Sequence, residues 1–102
     1  MDVKMIVMGQ SLFAAGPVTL AADSIEFINF DFDFSEDWAD CVKVAQFTQG
    51  ETTYNRVLTY DNGLLPAEIQ DGEFSVSVFG TVPGESVRGT TTVVYFKIER
   101  SG

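Results

Sequence analysis

The stretch Ser24-Ile25-Glu26-Phe27-Ile28-Asn29-Phe30-Asp31-Phe32-Asp33-Phe34 decides the class of fold. From Ile28 onward apolar and polar residues alternate strictly. Ile28, Phe30, Phe32 and Phe34 share one face, and Asn29, Asp31 and Asp33 share the other. A period of two marks a strand with one face buried and one in water, so the phenylalanines point inward and the carboxylates outward. Ile25 and Phe27 have the opposite parity, which predicts a bulge near residue 27 or 28.

The same logic extends in both directions. Residues 2–8 read as a first strand, Gly9-Gln10 as a turn, 11–14 as a second strand, and 18–22 as a short third strand after Gly16-Pro17. After Phe34, Ser35 is placed to cap a single helical turn, and Trp38 folds back onto the core. In 41–48, Val42 and Val44 oppose Lys43, Ala45 and Phe47. Gln49-Gly50-Glu51 turns the chain, 52–60 returns, and Asp61-Asn62-Gly63 is a second turn signal because Asn-Gly tolerates positive φ. Pro66 suits the start of a short helical turn over 64–69. Residues 73–80 alternate with Phe74, Val76 and Val78 inward, 81–89 form a loop, and 90–98 form the last strand. No window sustains helical periodicity. The pattern predicts one all-β domain over 1–102: an antiparallel immunoglobulin-like β-sandwich of about eight short strands with one or two short helical turns.

Composition narrows the function. The chain carries 15 acidic and 6 basic residues, for a net charge of -9, which argues against binding nucleic acid or anionic lipid through a basic face. It has no histidine, so the usual neutral-pH base and the commonest metal ligand are missing. Its one cysteine can close no internal disulfide. No apolar run approaches the roughly 20 residues that span a bilayer, and the N-terminus reads as lacking a secretory signal. The charge is uneven, with residues 1–50 at net -6 and 51–102 at net -3. Most of the excess falls between Asp23 and Asp40, on the outer face of one strand and the turn after it. That face is expected to stay in solvent or meet a basic partner, with the docking surface elsewhere.

Candidate chemistry is sparse. Asp31-x-Asp33-x-Ser35-x-Asp37 begins like a calcium loop, but Glu36 stands where the turn glycine belongs and Val42 where a bidentate Glu belongs. The acids therefore read as a solvated strand face, with a weak cation site at Asp33, Glu36 and Asp37 as the alternative. No serine has a base in a recognisable motif, and Cys41 follows Asp40 and reads as a small buried residue. These absences predict a non-enzyme with no cofactor and no metal. Tyr54, Tyr60 and Tyr95 are candidates for a carbohydrate or protein contact surface, since Tyr is favoured at interfaces. An exposed edge strand would add a second mode of contact, by strand pairing.

One set of motifs spans nearly the whole chain. Phe32-x-Phe34-Ser35-x-x-Trp38 is followed by Lys43-Val44-Ala45-x-Phe47, then Leu65-Pro66-x-Glu68-Ile69, Gly72, Val78-x-Gly80 and Arg88-x-Thr90-Thr91. In this order they resemble a family of small β-sandwich domains in structural proteins of tailed phages and prophages of Gram-positive bacteria, found in baseplates, tail fibres and head fibres. The resemblance implies a virion structural protein made in the host cytoplasm, an attachment or decoration domain whose partners are other phage structural proteins, with self-association compatible. Most of the shared residues are explained by packing. Arg88 is not, and it joins the three tyrosines as a candidate contact residue. Longer relatives carry a C-terminal stalk or receptor-binding region, so this chain is expected to be a free-standing subunit or an excised domain. The alternative is a host-encoded carbohydrate- or peptide-binding β-sandwich module.

Overall fold

The computed structural model describes residues 1–21, 28–84 and 87–100, with backbone alone at 87 and 88. Ten strands form among them: β1 (Asp2–Met8), β2 (Ser11–Ala14), β3 (Thr19–Ala21), β4 (Asn29–Phe34), β5 (Val42–Gln49), β6 (Thr52–Val57), β7 (Asn62–Leu64), β8 (Gly72–Thr81), β9 (Val87–Thr90) and β10 (Val94–Glu99). They build two sheets. The smaller has the order β2-β1-β4-β7; the larger has the order β3-β10-β8-β5-β6, with β9 also on β8. The result is the all-β sandwich that the alternation predicts.

The core follows from the parity of β4. Phe30 and Phe32 are buried, as is Ile28 just before the strand, while Asp33 is exposed. Phe30 sits at the centre, fully shielded from solvent. Its ring meets Phe47 of β5 edge-on at 5.2 Å, Phe96 of β10 at 5.4 Å and Phe74 of β8 at 6.4 Å, so one side chain of the small sheet touches three strands of the large one. Edge-to-face rings at such separations are favourable beyond the area they bury. Val3, Met5 and Val7 of β1 and Leu12 of β2 complete the inner face of the small sheet. The bulge expected near residue 27 or 28 rests on Ile25 and Phe27, which lie outside the described residues.

Several details depart from the sequence reading. Both sheets are mixed, not purely antiparallel. β1 runs parallel to β4, with Val3, Met5 and Val7 opposite Phe30, Phe32 and Phe34, and β3 runs parallel to β10. Alternation says which face a residue occupies and is silent about the neighbouring strand's direction. The strand count is ten and not about eight because β7 and β9 are short pieces in segments expected to be turn or loop. β9 pairs with the end of β8, and the chain then leaves the ladder at residues 91–93 before β10 begins. Thr91 bridges that gap: its buried hydroxyl accepts the Val78 N–H at 2.9 Å and donates to the Thr92 carbonyl at 2.8 Å.

Among the described residues a single 3-10 turn forms, at Glu36–Trp38. Ser35 precedes it without capping it through its side chain; its hydroxyl instead donates to Asp37 and accepts the Gly9 N–H at 3.0 Å. Trp38 is buried, as expected, and its indole N–H donates to the Gly9 carbonyl at 2.7 Å. The second helical turn does not form. Residues 66–69 make one hydrogen-bonded reverse turn, Ile69 N–H to Pro66 carbonyl at 3.1 Å, whose flanking Leu65 and Ile69 are buried as the chain crosses between sheets. Cys41 is half-buried against the core and not fully enclosed.

Candidate contact surfaces

The most exposed large apolar side chain among the described residues belongs to a hairpin that links the sheets. Thr59 and Asn62 exchange backbone hydrogen bonds at 2.9 and 3.0 Å, leaving Tyr60 and Asp61 as the two turn residues. Their φ angles are 51° and 63°, the conformation of a type I′ turn. The sequence placed this turn at Asp61-Asn62-Gly63, and the structure moves it back by one residue or two, onto Tyr60-Asp61. Asn62 works as a fastener, accepting from the Asn29 side chain at 2.8 Å and donating to the Tyr60 carbonyl at 2.7 Å. Gly63 lies in β7, where a side chain would meet Leu58 at 2.8 Å.

Asp61 ties the tip down twice. Its carbonyl accepts the Phe32 N–H of β4 at 2.9 Å, and its carboxylate holds the Lys43 ammonium of β5 at 2.9 Å. That ammonium also lies 4.7 Å above the Phe34 ring. The turn is therefore anchored to both sheets, and at its apex Tyr60 is 95 % exposed. A bulky residue at positive φ on a fully exposed turn costs conformational energy that no packing returns.

The other candidate tyrosines do not join it. Tyr95 of β10 is 68 % exposed on the outer face of the large sheet, beside a shallow groove lined by Thr48, Gly50, Glu73 and Ser75. Tyr54 of β6 pairs with Phe47 on the inner face and packs partly against the core. The Arg88 side chain lies outside what is described. The three tyrosines thus do not converge on one site.

Alternation also exposes apolar groups that the sequence reading did not single out. On the outer face of the large sheet, Val57 of β6 is exposed and stands in register with buried Val44 of β5 and half-buried Phe79 of β8. On the outer face of the small sheet, Ile6 lies opposite both Phe13 and Asp33, and Met8 and Phe13 are exposed. The acidic face is therefore not purely polar. Its Asp31 carboxylate pairs with Lys4 of the neighbouring strand, which holds that ammonium above its ordinary value of 10.5, chiefly through the hydrogen bond and then through the charge.

Carboxylates come together beside the 3-10 turn. Asp37 and Asp40 border a crevice of about 330 Å³ with Gln10, Trp38, Cys41 and Gly89. Both are exposed, whereas glycoside cleavage calls for a carboxyl shielded in an apolar pocket. Among the described residues no three acidic or thiol groups are placed to share a metal ion. Nor, among the described residues, is any helix long and apolar enough to cross a membrane. No protein-family model, curated protein or solved structure matches the chain.

Proposed function

We propose that this chain is a non-enzymatic structural domain that docks onto a larger assembly through its surface, and that the assembly is the head, tail fibre or baseplate of a phage particle. The observation that carries the docking role is the Tyr60 hairpin: a turn anchored to both sheets that holds a bulky aromatic in solvent at an unfavourable backbone angle. Tyrosine presented rigidly loses little conformational freedom on contact, which is what an interface anchor needs. What supports the phage context is the run of motifs from Phe32 to Thr91. The test is fractionation of purified particles from the source phage, followed by electron microscopy with labelled protein. Co-purification and a fixed position on the particle are expected; absence from purified virions overturns the assignment.

A second reading rests on Tyr95. Its exposed ring beside the polar groove of Thr48, Glu73 and Ser75 is the arrangement with which a carbohydrate- or peptide-binding module stacks a ligand. Glycan-array binding that is lost in Tyr95→Ala would favour this reading over virion docking.

A further inference from the structure

The free edge of β6 carries its own complement. Among the described residues, no strand pairs with the side of β6 away from β5. Three of the other edge strands are shorter. β3 and β7 are three residues long, and β2 has four, with its Leu12 N–H already bonded to the Thr92 hydroxyl. β6 is six residues, Thr52-Thr53-Tyr54-Asn55-Arg56-Val57, with no proline, no bulge and one charge. Natural edges of that length are usually blocked against strand addition.

The register says which groups are available. Gln49 and Thr52 close a two-residue turn at Gly50-Glu51, so pairing alternates from there: Thr52, Tyr54 and Arg56 bond to β5, and Thr53, Asn55 and Val57 aim their backbone N–H and C=O groups outward. That outward set is symmetric about Asn55. A second strand of the same sequence, laid antiparallel with Asn55 opposite Asn55, satisfies all of it, Thr53 pairing with the partner's Val57 and the reverse.

The side chains match under the same two-fold. On the inner face the register sets each Arg56 opposite the partner's Tyr54. Among the described side chains Arg56 is the one cation without a carboxylate: Lys4 pairs with Asp31, Lys43 with Asp61, Lys97 with Glu99 and Arg100 with Asp71. It lines a groove of about 330 Å³ beside the edge together with Tyr54, Pro66 and Glu68. An incoming Arg56 would therefore meet an aromatic face and a carboxylate, the two groups a guanidinium prefers.

We infer that β6 is the contact between two copies of this chain, joined antiparallel about Asn55 into one continuous sheet. The interface is isologous, so it closes at a dimer. Two copies of charge -9 repel, so association strengthens as salt is raised from low to physiological ionic strength, where the screening length is about 8 Å. The inference does not depend on the docking role proposed above.

Sedimentation equilibrium of the full chain tests it, from about 10 μM to about 1 mM, where edge contacts of this size associate. The weight-average mass should climb from 11.2 kDa toward twice that value. Asn55→Pro removes an outward N–H that β5 does not use, so it should hold the mass at the monomer value with unchanged far-UV circular dichroism. Arg56→Glu, which sets two acids against each other in the groove, should weaken association at least tenfold. A parent that stays monomeric throughout overturns the inference, as does a folded Asn55→Pro that associates like the parent. If Asn55→Pro does not fold, Arg56→Glu decides, and unchanged association overturns it.

Discussion

Replacing Gly80 by alanine puts one methyl group where the fold leaves no room. A Cβ at this position of β8 would lie 2.8 and 3.0 Å from two carbons of the Trp38 ring and 3.1 Å from the Cys41 Cβ. Carbon pairs settle at about 3.5–4.0 Å, so the indole must retreat by most of an ångström. It has little freedom to do so. Its N–H is held by the Gly9 carbonyl at 2.7 Å, and its other side packs on Phe34 with ring centroids 5.4 Å apart. Overpacking of this kind costs about 1–3 kcal/mol, and a strained indole hydrogen bond adds up to about 1 kcal/mol. Against this, losing a glycine restricts the unfolded chain and returns about 0.4–1 kcal/mol. The net expectation is a loss of about 2 kcal/mol, a large part of the roughly 5–15 kcal/mol that holds a domain of this size. Urea unfolding followed by fluorescence reads it directly, because Trp38 is the sole tryptophan. Gly16→Ala is the control: nothing lies within 4 Å of that Cβ, and its φ is not positive, so it should be neutral or slightly stabilising. The reasoning fails if Gly80→Ala stays within about 0.5 kcal/mol of the parent with its native emission unmoved, a shift no larger than that of an ordinary surface substitution.

Thr91→Val keeps shape and removes the hydroxyl that accepts the Val78 N–H, leaving a buried donor unsatisfied; a loss of about 1–3 kcal/mol is expected in the same urea titration. Tyr60→Asn places a residue that tolerates positive φ at the I′ turn, so the melting temperature should rise by a few degrees, corresponding to about 0.5–1 kcal/mol. A fall would show that the ring is held by contacts the structure does not contain. The Lys4–Asp31 pair raises the Lys4 value, so its contribution is fully present below pH 10.5 and is lost as pH rises through the higher folded value. Any stability difference between the parent and Lys4→Met should therefore be present at pH 7 and fade above that point, read by thermal melts at both ends. Since the Lys4 side chain is largely exposed, high salt should also shrink it.

The sequence alone determined the faces. Strict alternation in Asn29–Phe34 set Phe30 and Phe32 inward and Asp33 outward, because side chains on a strand repeat every two residues whatever the strand pairs with. The same rule separated exposed Val42 from buried Ala45 and Phe47, and Tyr95 from Phe96, and the large aromatic surface of Trp38 sent it into the core. Local chemistry was less decisive. The Asn62-Gly63 pair is a strong turn signal, yet the turn falls on Tyr60-Asp61, because Asn62 is needed to bond Asn29 across the sheet and Gly63 to admit Leu58. No local rule sees either demand. Tertiary structure alone decided which strands are neighbours: the parallel pairs of β1 with β4 and β3 with β10, the splitting of β9 from β10 at Thr91, and the outer edge of β6, unpaired among the described residues. The physical reason is the same in each case. Burial is a property of one residue and its face, readable from a pattern, whereas pairing is a contest among all strands for partners. Its outcome left Arg56 without a carboxylate partner among the described residues and Tyr54 at an open edge.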